Sequence, residues 1–382
     1  MLSDNNYSVT GTGKGAFLND VSKLSRITHE FEIMTDGISL YTVETFQGKK
    51  IIGKRHKDGE SHEKTISKDL FLGDEITGEE LDRLIDEEML LAEVDGSLFV
   101  MASNSLVTLA QRAGQTCGLA SRERDRNCRF YRDGGYEAYF RVRPELCKIL
   151  FRQEENVRKI WAVFSEKYMY VDQSKFFTEV MDIFSEKFGR VDVCSYEINN
   201  FYTDVYCEFP SKEIEMDGDY IIPGVRLHTS DVGESSIMVD MTISVRNNGH
   251  VYIPGGSIRM EHSDRQPYTA AFVKDKLEEQ LFPAYKKSIS FLQEAKEKKT
   301  DEKKLFEMLK KSSISRAAGM KRMQDIKKNL KKEKKKGAIN METVFDAIAF
   351  ACELTEEIQI PNYRGQDDLR YGAGSLIDEK WL

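Results

Sequence analysis

The tightest constraint on what this chain can fold into is the alternation in residues 237–245. Ile237, Val239, Met241, Ile243 and Val245 are separated one by one by Met238, Asp240, Thr242 and Ser244. A period of two puts the apolar set on one face of a strand and the mixed set on the other, so a sheet with one dry side is expected. Asn247-Asn248-Gly249 follows with residues that tolerate positive φ, which predicts a turn back through Val251, Tyr252 and Ile253. Pro254-Gly255-Gly256 is expected to break that returning strand before a short piece at 257–260 resumes it. Upstream, a polar loop at 230–236 joins Val225-Arg226-Leu227 to the long strand. In this loop and turn, Gly233 and Gly249 are read as positions needing backbone freedom. Ser230, Asp231 and Asn248 are read as shaping the backbone through local hydrogen bonds.

The 382 residues suffice for a sizeable core and for two or three structural units. No apolar run approaches the roughly 20 residues that cross a bilayer, and the start lacks the basic and apolar regions of a secretory signal. The six cysteines (117, 128, 147, 194, 207 and 352) form no CxxC pair, which predicts reduced thiols and a cytoplasmic protein. The net charge of −8 is unevenly spread. Residues 310–336 hold 12 Lys and Arg against two acids, a net +10, so the remainder carries −18. An acidic body with one concentrated basic segment points to a nucleic-acid contact on that segment, or to a solvated helix. Its few apolar residues disfavour a membrane.

Along the chain, residues 1–30 read as a flexible arm. Gly11-Thr12-Gly13-Lys14-Gly15 lacks the spacing of a phosphate loop. Residues 31–46 read as a hairpin turning at Thr35-Asp36-Gly37, and residues 49–68 as loop or edge. Thr77 with Glu80 marks a helix start, with Leu81, Leu84, Ile85, Met89 and Leu90 on one face. Ser103-Asn104-Ser105 suggests a second capped helix ending near Gly114. Residues 157–171 read as a pair of strands. Phe176, Val180, Ile183, Phe184 and Phe188 have helical spacing, ended by Gly189. Strands follow at 191–201 and 203–209. A long helical segment over 268–299 is kinked near Pro283, and helices are expected at 302–311, 317–336 and 341–354. The tail from 361 reads as irregular, with Trp381 as an anchor. The fold class expected is α+β: a central antiparallel sheet packed by helices, with a helical basic C-terminal region. The expected divisions are 1–135, 136–295, 296–340 and 341–382.

Three segments, in order, resemble the phage- and plasmid-related family carrying domain of unknown function 932. Residues 157–168, VRKIWAVFSEKY, are similar to that family's "VRAVLSDRY" segment. Thr229-Ser230-Asp231-Val232-Gly233-Glu234-Ser235-Ser236 is similar to its "NSDxGxSS" loop. Arg246-Asn247-Asn248-Gly249 is similar to its "CSNG" turn, but without the cysteine. The resemblance covers about residues 140–290, under half of the chain. It implies a mobile-element origin and a mixed α+β fold, and no catalytic residue.

Candidate contacts to nucleic acid are Arg122, Arg124, Arg126, Arg129, Tyr131 and Arg132, where arginines interleave with aromatics that can stack on bases. Glu123, Asp125 and Asp133 lie among them, so an acid-paired segment beside core aromatics is the competing reading. Lys327, Lys328, Lys331, Lys332 and Lys335 are the candidates in the basic segment. His228, Asp231, His250, Glu261 and His262 offer metal-ligand chemistry but show no HxH or HxxxH spacing, and they are read as structural. Ser235 and Ser236 lie outside any GxSxG context. No metal and no cofactor are expected. The function expected is non-enzymatic nucleic-acid binding in phage- or plasmid-type DNA metabolism, such as single-strand binding or annealing. The alternatives are a structural or host-interaction protein with a protein partner or homo-oligomeric contacts, and a metal-dependent hydrolase or nuclease.

Overall fold

The alternating strand at 237–245 lies one place in from the edge of a sheet, and all nine of its residues are buried. The computed structural model describes residues 7–47, 50–57, 60–67, 90–114, 126–154, 157–216, 219–245, 249–263, 270–311, 342–358 and 363–382. In chain order, β1 (Ser8–Gly11) and α1 (Lys14–Ile27) precede β2 (Thr28–Met34), and a 3-10 turn, Thr35–Gly37, leads to β3 (Ile38–Gln47). Then come β4 (Lys50–Lys57), β5 (Glu60–Ser67), β6 (Leu90–Val94), β7 (Ser97–Met101), α2 (Ser103–Arg112) and α3 (Arg126–Val142). The middle of the chain supplies β8 (Leu146–Glu154), β9 (Val157–Ser165), α4 (Gln173–Phe188), β10 (Asp192–Asn199), β11 (Thr203–Glu208) and β12 (Ile214–Met216). It continues through β13 (Asp219–Thr229), β14 (Ile237–Val245) and β15 (His250–Met260). The described C-terminal helices are α5 (Ala270–Lys276), α6 (Phe282–Glu297), α7 (Glu302–Lys311), α8 (Val344–Glu357) and α9 (Tyr363–Gly374).

The fold is α+β, with two sheets packed by helices. One sheet runs β1-β10-β11-β13-β14-β15, with β12 also on β13, and is antiparallel throughout. The other runs β2-β8-β9-β7-β6-β3-β4-β5 and contains one parallel pair, β7 with β9. The expected hairpin at 31–46 does not form. β2 pairs with β8, and β3 pairs with β6 and β4. Five strand spacings in a flat sheet span about 24 Å, whereas the link from Met34 to Ile38 reaches at most about 13 Å. The sheet must therefore curl. Its apolar interior holds Leu40, Leu90, Phe99, Leu106, Phe140 and Ile149.

Several other expectations change. Residues 8–27 are not a free arm: β1 extends the seven-stranded sheet, and α1 buries Phe17, Val21 and Leu24 in the main core. The expected strand pair at 157–171 is a single strand, β9, whose antiparallel partner is β8. Helix α2 starts after Ala102, without a side-chain cap. The helix expected from Thr77 lies outside the described residues except for Leu90, which opens β6. The helix expected at 317–336 also lies outside them. Pro254-Gly255-Gly256 does not end β15; the pairing skips from Tyr252 to Ser257, so these residues form a bulge. The tail contains α9, packed on β15, and ends with Trp381 buried. The expected boundary at 135–136 does not separate the sheets, because β8 and β9 from beyond it complete the curled sheet.

Other local readings hold. Asp172 caps α4 by accepting from the Lys175 backbone N–H at 3.2 Å, and Gly189 (φ 85°) closes it. Before Pro283, a π-helical turn at Leu277–Leu281 accommodates the residue that lacks an N–H.

The apolar row of β14 joins Val205, Leu227 and Val225 in a cluster with α1, α4 and α6. The expected wet face is dry too. Tyr371 of α9 donates to Asp240 at 2.9 Å, and Gly374 of α9 lies against the backbone of Tyr252. A Cβ at Gly374 would run into the Tyr252 carbonyl oxygen. Gly249 lacks the positive φ expected of it; a Cβ there would meet only the side chain of Glu356, which is half exposed.

The loop at 230–236 joins the two sheets. Arg152 of β8 donates to Asp231 at 3.1 and 3.3 Å and to the Asn200 side chain at 2.9 Å. Its guanidinium also lies 4.8 Å from the Trp161 ring centroid. Tyr168 donates to the Asp231 carbonyl at 2.7 Å, and Asn104 donates to the Val232 carbonyl at 3.2 Å. Asp231 therefore acts over long range and not only within its own loop.

Two stability outcomes follow. Gly374→Ala should lower the urea midpoint by the equivalent of about 1–3 kcal/mol, because backbone must move, while Gly249→Ala should stay within about 0.5 kcal/mol. Asp231→Asn leaves the buried Arg152 charge without its counterion and should cost about 3 kcal/mol, measured by chemical denaturation. A stability change within error would show that the two sheets are held together elsewhere.

Candidate functional site

Antiparallel register brings the functional groups together. Asp204 of β11 lies opposite His228 of β13, and Tyr206 lies opposite Arg226. Arg226 in turn lies opposite Asp240 of β14, which lies opposite Ser257 of β15. Directly opposed residues share a face, so all these side chains project from one side of the sheet. Helix α9 covers that side with Asp367, Arg370 and Tyr371.

Arg226 is fully buried at the centre. Its Nε lies 2.5 Å from Asp204 Oδ1, and its Nη1 lies 2.9 Å from Asp367 Oδ2 and 3.7 Å from Asp240 Oδ2. Around it, Tyr206 and Tyr252 share a hydroxyl hydrogen bond of 2.7 Å, and Tyr252 donates to Asp367 at 2.8 Å. Arg370 donates to the Tyr206 hydroxyl and stacks 4.5 Å from its ring centroid. Burial opposes the charge on Asp204, but Arg226 and then His228 outweigh it and hold the carboxyl well below its usual range. For Asp240 and Asp367 burial wins over Arg226, and both carboxyls are pushed up.

A hydrogen-bonded chain runs outward from this layer. His228 Nε2 lies 2.7 Å from Ser235 Oγ, and His228 Nδ1 lies 3.3 Å from Asp204 Oδ1. The order is that of a nucleophile, a base and an orienting acid. However, Arg226 Nη2 also lies 3.3 Å from His228 Nδ1, and Arg226 already engages Asp204. The guanidinium thus competes at both ends of the His228–Asp204 contact, and the chain ties the 230–236 loop to the sheet.

Two openings flank Asp367. A cleft of about 630 Å³ is lined by Glu197, Tyr202, Asp204, Tyr206, Gln366 and Arg370, among others. A smaller one of about 420 Å³ is lined by Ser235, Ser236, Arg259, Asp368 and Tyr371, among others. At one end of the polar face, Cys194, Glu208 and His250 converge, with His250 Nε2 3.0 Å from Glu208 Oε1.

The residues singled out from the sequence are dispersed. Arg122, Arg124, Asn248, Lys327, Lys328, Lys331, Lys332 and Lys335 lie outside the described residues. Arg126, Arg129 and Tyr131 fall on α3, and Arg132 is buried there, its Nε 2.9 Å from Asp133 Oδ1. That pair, with Glu137 holding Arg55 at 2.6 Å and Tyr136 and Phe140 in the core, matches the acid-paired reading for this part of the helix. Arg132 is not presented to a phosphate backbone. Ser230 donates to the Phe201 carbonyl at 2.6 Å, and Gly233 takes φ 82°. Four of the five residues weighed as a metal set separate: His228 faces Asp204, Asp231 faces Arg152, His250 faces Glu208, and His262 Nδ1 lies 3.1 Å from the Met169 carbonyl. Sequence reading missed Asp204, Arg226, Asp240, Asp367 and Arg370. The available signal was a charged residue placed mid-strand in two apolar runs, at Arg226 and Asp240.

Comparison with protein-family models, curated proteins and solved structures finds no match to the chain.

The opposed shifts within the layer give a pH signature. Because the folded pKa of Asp204 is depressed, its contribution is present above the unfolded value of about 3.9 and is lost as pH falls through the folded one. Asp240 and Asp367 have the opposite sign and favour the fold less as pH rises. Asp204→Asn should therefore lower the denaturation midpoint at pH 7 more than Asp240→Asn does, and its deficit should shrink on acidification below about pH 4. Equal deficits at both pH values would contradict this electrostatic assignment.

Proposed function

We propose that this protein binds nucleic acid without catalysing a reaction, in phage- or plasmid-type DNA metabolism, and that residues 310–336 form its electrostatic contact. The observation that carries this reading is where the basic segment is attached. The Thr300 backbone N–H donates to the Glu342 carbonyl at 2.8 Å, and the Val344 N–H donates to the Lys298 carbonyl at 2.8 Å. Lys299 and Thr343 form an antiparallel bridge between them. Helix α7, which buries Met308 and Leu309 in the main core, follows one strand of this bridge, and α8 follows the other. The net +10 of residues 310–336 therefore falls between two elements packed on a body that carries −18. Concentrating the cations in one insertion suits a polyanionic partner, because each neutralised phosphate releases counterions. The three segments similar to the phage- and plasmid-related family support the setting. Among the described residues, no helix is long and apolar enough to cross a membrane.

Fluorescence anisotropy with single-stranded and duplex oligonucleotides tests the proposal. Affinity should fall steeply with salt. Replacing Lys327, Lys328, Lys331 and Lys332 by Gln should weaken binding and reduce the slope of log K against log salt by about 3. Absence of binding to either form at low salt would defeat it.

A further inference from the structure

The polar face carries a second constellation that the buried arginine layer does not use. In the β10–β11 pairing, Val193 lies opposite Cys207 and Ser195 lies opposite Tyr206, which leaves Cys194 as the extra residue of a β-bulge. A bulge re-aims a side chain out of the regular alternation. Here it brings Cys194 Sγ to the carboxylate of Glu208, near the end of β11, and to the imidazole of His250, at the start of β15. Glu208 and His250 belong to strands separated by β13 and β14. They reach each other at 3.0 Å across that face, where Gly224 is the register partner of Glu208.

We infer that Cys194, Glu208 and His250 bind one Zn²⁺ ion, with water as the fourth ligand. The ligand atoms of the three residues all lie within 4.8 Å of one another. Tetrahedral Zn²⁺ with bonds of about 2.0–2.3 Å needs its ligand atoms about 3.3–3.7 Å apart, so small side-chain rotations complete the site. The donor set of one thiolate, one imidazole and one carboxylate suits a borderline-soft ion and disfavours Mg²⁺ and Ca²⁺, which take oxygen ligands. His250 Nε2 is buried and lies 3.0 Å from Glu208 Oε1, a contact that needs a proton between the two atoms, and Zn²⁺ would take the place of that proton. Zn²⁺ takes a thiol as the thiolate, so binding displaces protons to the buffer and affinity rises with pH. The ion would tie β10, β11 and β15 together across the sheet.

The full-length chain, stripped with chelator, is titrated with Zn²⁺ and separately with Co²⁺. One equivalent of Zn²⁺ should bind, release protons and raise the melting temperature, and excess Mg²⁺ should not compete. Co²⁺ should produce a near-ultraviolet thiolate charge-transfer band. Cys194→Ser should remove that band, and Cys194→Ser and His250→Gln should each weaken Zn²⁺ binding by at least about a hundredfold, more than the loss of an outer-shell partner. Both variants must retain a cooperative melting transition. If one does not, the charge-transfer band of the wild type and its retention in Cys117→Ser/Cys128→Ser decide the matter. Absence of the band, its loss in the Cys117→Ser/Cys128→Ser protein, or undiminished Zn²⁺ binding by Cys194→Ser would each overturn the inference.

Discussion

The guanidinium of Arg226 sits at zero exposure in the middle of the seven-stranded sheet, and much of the molecule is arranged around that charge. An isolated buried cation costs several kcal/mol after relaxation, so the fold must bring anions to it. They arrive from three places: Asp204 on the neighbouring strand β11, Asp240 on the other neighbour β14, and Asp367 on a helix more than a hundred residues away. Only the last is free to be absent from the sheet itself. The docking of α9 is therefore an electrostatic requirement of the strand pairing as much as a hydrophobic one. The tyrosines complete the arrangement. Tyr252 and Tyr371 donate to the carboxylates of Asp367 and Asp240, Tyr206 and Tyr252 offer ring faces to Arg226, and Tyr206 offers one to Arg370. An anion-rich layer in an apolar setting would otherwise leave polar atoms unsatisfied.

A second buried arginine solves a different problem. Arg152 belongs to the curled sheet, and its partners Asp231 and Asn200 belong to the other. Apolar contact alone lets two sheets slide, whereas a charge pair with fixed hydrogen-bond directions admits one register. The 230–236 loop is held from both sides. Arg152, Tyr168 and Asn104 grip it from the curled sheet, while His228 holds Ser235 from its own. Gly233, at φ 82° and beside the ring of Phe164, lets the backbone make the bend these restraints demand.

What could be read from the sequence follows the range of the interactions involved. Helix α4 was legible because Asp172, the phenylalanine spacing and Gly189 are all local, and β14 because a strand's alternation is written in nine consecutive residues. The bounds of α7 were legible for the same reason. The partner of β2 was not, because β8 lies more than a hundred residues away and Thr35-Asp36-Gly37 looks like a hairpin turn. Helix α9 was missed because Gly365, Gly372 and Gly374 lower its intrinsic helicity. Its helix persists through Gly374 lying on the Tyr252 backbone and Asp367 reaching Arg226, which are tertiary terms. The polar face was misread for the same cause. Asp240 in an alternating strand signals solvent unless the cover supplied by α9 is known. Cys194, Glu208 and His250 share no spacing along the chain and meet only in the folded sheet, through a bulge.

The charge distribution constrains how the proposed contact with nucleic acid would work. A body of −18 repels a phosphate backbone, and the repulsion extends about 10 Å at 0.1 M salt. The basic residues follow α7, whose Met308 and Leu309 are buried in the main core, and precede the bridge between residues 342–344 and 298–300. On the proposed reading, attraction is confined to the insertion while the sheets are kept away from the polyanion. The buried arginines contribute nothing to this field beyond the body, because Arg226 and Arg152 are matched by carboxylates within 3.1 Å. The same −18 competes with phosphate for the insertion's lysines, so the two electrostatic terms weaken together as salt rises. Discrimination between one nucleic acid and another must then come from groups other than the lysines, since charge alone reads only the backbone.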